Sequence, residues 1–111
     1  MEPSGVEGVG QPQYSQEQIR EYRDRYKRGV DLFQQAFTQY NDPQIEPHKK
    51  AQLRKVMSEA LEVMNETASV ALKKEKLEDE RRLNENYVRF IENPGAETQK
   101  KVFDDIDSLN N

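Results

Sequence analysis

The fold of this chain is decided by residues 15–40, which read SQEQIREYRDRYKRGVDLFQQAFTQY. Apolar side chains recur in this stretch at spacings of three and four residues, a period that places them on one face of an α-helix. They are Ile19, Tyr22, Tyr26, Val30, Phe33, Phe37 and Tyr40. The stretch therefore predicts an amphipathic helix of about six turns, and its apolar face is rich in aromatic rings.

Local signals mark both ends of this helix. Ser15 followed three residues later by Gln18 is the capping-box pattern, in which each side chain bonds the backbone amide of the other residue. Residues 41–43, Asn-Asp-Pro, are typical of a turn and end the helix at Tyr40. Gly29 lies beside the apolar stripe, where it costs about 1 kcal/mol relative to Ala. Its presence predicts that a neighbouring backbone approaches closely.

A second helix follows after a short connector. Residues 41–46 form a short connection, and a short connection favours an antiparallel arrangement of the two helices that it joins. Pro47 suits the first position of a helix because its missing N–H would have no partner there. An apolar stripe then faces the aromatic one and comprises Leu53, Val56, Met57, Ala60, Leu61, Met64, Ala68, Ala71 and Leu72.

The sequence is compatible with two lengths for this second helix. Residues 48–93 contain neither Gly nor Pro, which favours one uninterrupted helix of roughly 45 residues. The apolar stripe fades between residues 73 and 86, where charged side chains dominate. The alternative is therefore a break near residues 65–80, after which the chain folds back as a third helix.

The C-terminal part predicts one more short helix. Pro94 disfavours helical geometry in the residue before it, so a helix must end near Asn93. Apolar side chains then recur between Glu97 and Leu109 on one face. The predicted fold class is thus all-α: an antiparallel helical hairpin with one long second helix, or with a break near residues 65–80, and a short C-terminal helix. Such a chain is three- to four-helix bundle-like.

The domain organisation is simple. Residues 1–14 hold three of the five Gly and two of the five Pro, with few apolar side chains. We expect them to form a disordered N-terminal arm. Residues 15–111 are expected to form a single helical domain.

Composition excludes several classes of function. The chain has no Cys, one His (His48) and no glycine-rich phosphate loop, so the sequence predicts no enzyme, no metal, no cofactor and no small-molecule substrate. No apolar run approaches the ~20 residues that cross a bilayer. Residues 1–13 lack the basic and apolar blocks of a signal peptide. We therefore expect a cytoplasmic protein that is not bound to a membrane.

The remaining hypothesis is protein–protein interaction. Apolar residues make up only 33 % of the chain, so a second chain is one way to complete the core. The sequence predicts an adaptor, small chaperone or assembly subunit that buries a partner helix, or a second copy in a homo-oligomer, against the aromatic stripe. The predicted partner-binding residues are Tyr22, Tyr26, Phe33 and Phe37, with Leu53, Met57, Leu61 and Met64 opposite them.

A nucleic-acid-associated regulator is the alternative. Residues 20–55 carry nine basic and five acidic side chains, and basic stretches attract phosphate backbones. However, the net charge of the whole chain is −4, whereas nucleic-acid-binding domains are usually basic overall. Nucleic acid is therefore the less favoured partner.

Overall fold

A computed structural model describes residues 14–110 of the chain, and every regular element in this range is an α-helix. The helices are α1 (Gln16–Tyr40), α2 (Pro47–Ala71), α3 (Lys74–Glu92) and α4 (Ala96–Asn110). The all-α, bundle-like fold predicted above is confirmed. Of the predicted N-terminal arm, residues 1–13 lie outside the described residues.

Successive helices run antiparallel, so the four form an up-down-up-down bundle. The most extensive packing is between α1 and α2 and between α3 and α4, while smaller contacts join α2 to α3 and α1 to α4. Side-chain hydrogen bonds join three of the neighbouring pairs: Asn65 with Asn84, Asn86 with Asp105, and Gln34 with Asn110. The two hairpins, α1–α2 and α3–α4, therefore close on each other around one core.

The start of α1 has the capping geometry that the sequence predicts. The backbone amide of Ser15 donates to Oε1 of Gln18 at 2.8 Å, and the amide of Gln18 donates to Oγ of Ser15 at 3.1 Å. Asn41 caps the other end, donating from its side chain to the carbonyl of Phe37. Pro47 occupies the first turn of α2, as expected.

Gly29 lies at a close contact between α1 and α2. A Cβ atom at this position would lie 2.9 Å from Cγ of Met64 and 3.3 Å from the carbonyl oxygen of Ala60. Both distances are shorter than ordinary van der Waals contact. The predicted close approach of a neighbouring backbone at Gly29 is confirmed.

The favoured long second helix is wrong, and the alternative break is what forms. Leu72 and Lys73 leave helical geometry, with φ/ψ of −112°/147° and −72°/162°. Residues 65–69, which belong to the range 65–80 predicted for the break, stay helical. The chain therefore reverses at the start of the charged stretch, with no Gly or Pro to cause it.

Burial explains the reversal. Ending one helix and starting another loses a few backbone hydrogen bonds, each worth about 1 kcal/mol net. Folding back buries Leu83, Tyr87 and Phe90 of α3, each of which gains about 1.5–3 kcal/mol. Val102 and Ile106 of α4 add to this gain because they are also buried. The apolar surface covered by the α3–α4 hairpin therefore outweighs the interruption.

Candidate interaction surface

The predicted partner-binding residues lie almost entirely in the core of the protein. Seven of them are buried between the helices: Tyr26, Phe33, Phe37, Leu53, Met57, Leu61 and Met64. While the bundle is closed, the edge of Leu61 that lines the groove between α2 and α3 is the part of this set that a partner can reach. The prediction that they form a partner-binding surface therefore does not fit the closed bundle, in which α3 and α4 supply the cover that was expected from another molecule.

The aromatic stripe is covered by rings from the second hairpin. Phe33 packs edge-on against Tyr87 with ring centroids 5.3 Å apart. Phe37 packs edge-on against both Phe90 and Phe103 at 4.9 Å. Such pairs are a specific attraction beyond area burial. The apolar residues among 83–91 belong to α3, and a straight second helix would have kept them away from α1.

Tyr22 is the exception among the predicted residues, because it is only half-buried. Its ring lies 5.4 Å from that of Tyr14 in an edge-on arrangement, and the guanidinium of Arg25 lies 5.7 Å from its centroid. These neighbours come from the same chain. Tyr22 thus remains accessible in the N-terminal part of α1, and its role as a partner-binding residue stays a prediction.

Two grooves flank the exposed side of α2, and both combine apolar and charged side chains. The larger, which we call the α2/α3 groove, has a volume of about 710 Å³. Its lining comprises Ser58, Glu59, Leu61, Glu62, Asn65 and Glu66 from α2, and Asn84, Tyr87 and Val88 from α3. Sequence reasoning missed it because it exists only once α3 has folded back.

The apolar part of the α2/α3 groove consists of three side chains, Leu61, Tyr87 and Val88. Leu61 and Tyr87 are buried and form part of its lining, while Val88 stands at the rim with 52 % of its surface exposed. Ile91, one turn beyond Tyr87, lines the adjoining depression with Val88. Because about half of the Val88 side chain is in contact with water, covering it with a ligand would contribute favourable free energy.

The polar part of this groove is acidic. Glu59, Glu62 and Glu66 lie along the exposed side of α2 and form no ion pair with any other described residue. Within the lining, Asn65 and Asn84 bond each other reciprocally at 3.1 and 3.3 Å. Their spacing of three and four residues puts the three glutamates on one face of α2. The structure places this face beside an exposed valine.

The smaller groove, which we call the α1/α2 groove, lies on the other flank of α2 and has a volume of about 280 Å³. Gly29 and Ala60 are buried at its base, and Leu32 stands beside them with 46 % of its surface exposed. The α1 side of the lining carries Arg25 and Arg28, and the α2 side carries Glu59 and Val63. One wall is therefore basic and the other acidic.

A separate polar cluster is enclosed by the bundle. Glu80 is buried, and neither its Oε1 atom nor the buried hydroxyl of Tyr26 has a hydrogen-bond partner among the described residues. Burial raises the pKa of Glu80, an effect that the Asn84 amide only partly offsets. Burial also raises the pKa of Tyr26, with a further contribution from the charge of Glu80.

A second buried carboxyl group lies between α3 and α4. Asn86 donates from Nδ2 to Oδ2 of Asp105 at 2.5 Å. Burial raises the pKa of Asp105, against the lowering effect of this hydrogen bond and of Arg82. Both carboxyl groups thus lose solvation on folding, and this loss is the main cause of their raised pKa values.

The basic residues of the N-terminal half do not merge into one surface. Arg25 and Arg28 line the α1/α2 groove, whereas Lys50 lies at the far end of the hairpin with its ammonium 5.2 Å from the Tyr40 ring centroid. His48, also at that end, lies 3.3 Å from Glu46 with both side chains exposed. Within residues 14–110, these basic residues therefore do not form the continuous basic face that the nucleic-acid hypothesis requires.

Two other kinds of feature are absent from residues 14–110. No cluster of three or more His, Asp or Glu side chains in this range is placed to hold a metal ion. None of the four helices is both long and apolar enough to cross a membrane.

Comparison with protein-family models, with curated proteins and with solved structures finds no match to this chain.

Proposed function

We propose that this protein is a helical protein–protein interaction module that binds an amphipathic helix with a basic flank in its α2/α3 groove. The observation that carries the proposal is the exposure of Val88 beside a wall of glutamates that form no ion pair within residues 14–110. Helix-in-groove recognition needs these two features, since apolar anchors supply affinity and charges set orientation and partner choice.

The apolar contact supplies the driving force. A ligand helix that lies between α2 and α3 covers Val88 and Ile91 and the accessible edges of Leu61 and Tyr87. These side chains are few, so the affinity is expected to be moderate and to depend strongly on the central contact. Apolar side chains of the ligand at positions i, i+3 or i+4, and i+7 match a groove between two helices.

The charges select the ligand. Glu59, Glu62 and Glu66 recur at spacings of three and four residues on one side of α2, so they present a row of carboxylates parallel to the groove. Lys or Arg on the facing flank of a ligand helix pairs with this row, whereas Glu or Asp there is repelled. The proposed partner is therefore a protein with a basic amphipathic helix.

A pair of synthetic peptides tests the proposal. Both are amphipathic helices of about 18 residues with identical apolar faces, and one carries Lys and the other Glu on the flank that faces α2. Fluorescence anisotropy with the full-length protein should detect binding of the Lys peptide only. Binding should weaken as salt is raised, because the pairs are exposed to solvent.

Two matched variants locate the site. Val88→Asp places a charge at the centre of the groove and should weaken binding of the Lys peptide about tenfold or more. Leu32→Asp makes the same kind of change on the α1/α2 groove and should leave binding unchanged. Equal binding of the two peptides, or equal effects of the two variants, would contradict the proposal.

A further inference from the structure

The charge along the α2 side of the α2/α3 groove changes sign from one end to the other. Glu62 and Glu66 line the groove itself, whereas Arg54 lines the depression that adjoins it. The two depressions are continuous because three side chains line both of them: Ser58, Tyr87 and Val88. At about 1.5 Å per residue, Arg54 and Glu66 lie about 18 Å apart along α2, a distance that about three turns of a ligand helix cover.

Arg54 is available to a ligand. Its side chain is exposed and forms no ion pair with another described residue. Burial raises the pKa of Tyr87, while a hydrogen bond with Ser58 and the positive charge of Arg54 act against this effect, so the guanidinium lies near the apolar floor. Glu92 lines the same depression from α3 and therefore faces the other flank of a ligand.

A ligand helix has a polarity of its own that this arrangement can recognise. Its N-terminus carries a partial positive charge and its C-terminus a partial negative charge. Glu66 attracts the positive end, and Arg54 attracts the negative end. On α3, Arg81 is already paired with Glu78 and Glu85, so it adds little net charge near Glu66.

We propose that the partner helix lies antiparallel to α2, with basic residues in its first turns beside Glu62 and Glu66 and an acidic residue in its last turn beside Arg54. This inference rests on the proposed function, because it assigns a direction and a charge order to the ligand of the same groove. A ligand in the opposite direction would place its positive end at Arg54 and its negative end at Glu66, which is repulsive at both.

Two synthetic peptides of about 18 residues test the charge order with the full-length protein. They share one composition and one apolar face, and their termini are blocked. On the flank that faces α2, the forward peptide has Lys in its first and central turns and Glu in its last turn. The reverse peptide has Glu in its first turn and Lys in its central and last turns. Fluorescence anisotropy should show about fivefold tighter binding of the forward peptide.

Two alternative causes of such a difference are excluded by the design of the peptides. The reverse peptide is the better helix in isolation, because its end charges complement its dipole, so helix propensity favours the opposite result. Turning the reverse peptide end to end does not restore its pairing, because its charged flank then faces α3 instead of α2.

A protein variant and a spin label locate the two ends of the ligand. Arg54→Glu should remove the preference for the forward peptide. Arg28→Glu makes the same change of charge in the α1/α2 groove and should leave the preference unchanged; circular dichroism confirms that both variants are folded. A nitroxide at the N-terminus of the forward peptide should broaden amide NMR signals around Glu66 and not those around Arg54, and a nitroxide at its C-terminus should do the converse.

The outcomes separate this inference from the proposed function. Equal affinity of the forward and reverse peptides, or broadening around Arg54 by the N-terminal nitroxide, overturns the assigned direction. If the Lys peptide of the first experiment still binds and its Glu counterpart does not, the proposed function stands without that direction. Absence of binding by all four peptides overturns both.

Discussion

Gly29 packs against Ala60 and Met64 of α2, and two opposing effects decide what happens when it is replaced. Ala is favoured over Gly in a helix interior by about 1 kcal/mol. Against this, the new Cβ would lie 2.9 Å from Met64 and 3.3 Å from a backbone oxygen. Met64 is fully buried, so it has little room to move, and overpacking typically costs 1–3 kcal/mol. We expect the steric cost to win.

Gly29→Ala should therefore lower the free energy of unfolding by about 1 kcal/mol, as measured by urea denaturation. The control is the same substitution in a Met64→Ala background, where the nearest side chain has been shortened. There, Gly29→Ala should cost less or be neutral, because the contact with the carbonyl oxygen of Ala60 is then the main one that opposes its helix propensity. An equal loss in both backgrounds would mean that Met64 is not the source of the strain.

Glu80 makes stability depend on pH. Its pKa is raised by burial, so the folded state holds the proton more tightly than the unfolded state does. The fold is then most favoured while this carboxyl group is protonated, and it loses stability as pH rises from the ordinary carboxyl pKa of about 4 through the raised value.

Glu80→Gln should make the protein more stable than wild type at pH 7, because the amide carries no charge that must be buried. The difference should shrink towards zero as pH falls below about 4, where Glu80 is protonated even in the unfolded chain. Thermal melts at several pH values measure this. Glu85→Gln is the control, since Glu85 is exposed and pairs with Arg81. A difference that does not change with pH would argue against ionisation of Glu80 as the cause.

At the scale of single helices, the start of α3 is poorly capped. Lys73 occupies the N-cap position in extended geometry and makes no capping hydrogen bond from its side chain. Its positive charge also opposes the helix dipole. Asp at this position would accept a hydrogen bond from the first turn and place a negative charge where the dipole favours it.

Lys73→Asp should therefore raise the free energy of unfolding by about 1 kcal/mol, as measured by urea denaturation. Lys73→Ala is the matched control because it removes the charge without adding an acceptor, and it should recover only a part of the gain. A gain from Ala as large as that from Asp would assign the effect to charge alone.

The helix boundaries differ in how far the sequence could predict them, and the reason is the origin of each boundary. Ser15, Pro47 and Pro94 act through local geometry, so their effects were read correctly from neighbouring residues. The break at Leu72 has no local cause. It forms because residues far along the chain gain burial by returning to α1, and this gain depends on the closed bundle as a whole.

The same distinction applies at the scale of the whole molecule. The aromatic stripe was correctly found in the sequence as a large apolar surface in need of cover. Whether that cover comes from α3 and α4 or from a partner depended on the break at Leu72, and the favoured straight helix led to the partner. The α2/α3 groove could not be predicted for a related reason: Val88 and Glu62 become neighbours only when α2 and α3 lie side by side.

The aromatic cluster also determines how the molecule unfolds. Phe37 contacts Phe90 of α3 and Phe103 of α4, so one side chain of the first hairpin holds both helices of the second. Other packing between the hairpins is less extensive than packing within them. We expect the wild type to unfold in a single transition, because neither hairpin can cover its apolar face alone.

Phe37→Ala should lower the free energy of unfolding by about 3–5 kcal/mol, the usual cost of deleting a fully buried aromatic ring. Phe37→Leu, which keeps much of the apolar volume, should cost less. Far-ultraviolet circular dichroism follows the helices and near-ultraviolet circular dichroism follows the packed rings, and the two should report the same midpoint for the wild type. Separate midpoints for the wild type would mean that the hairpins unfold independently, and the aromatic cluster would then not be the contact that makes the four helices one cooperative unit.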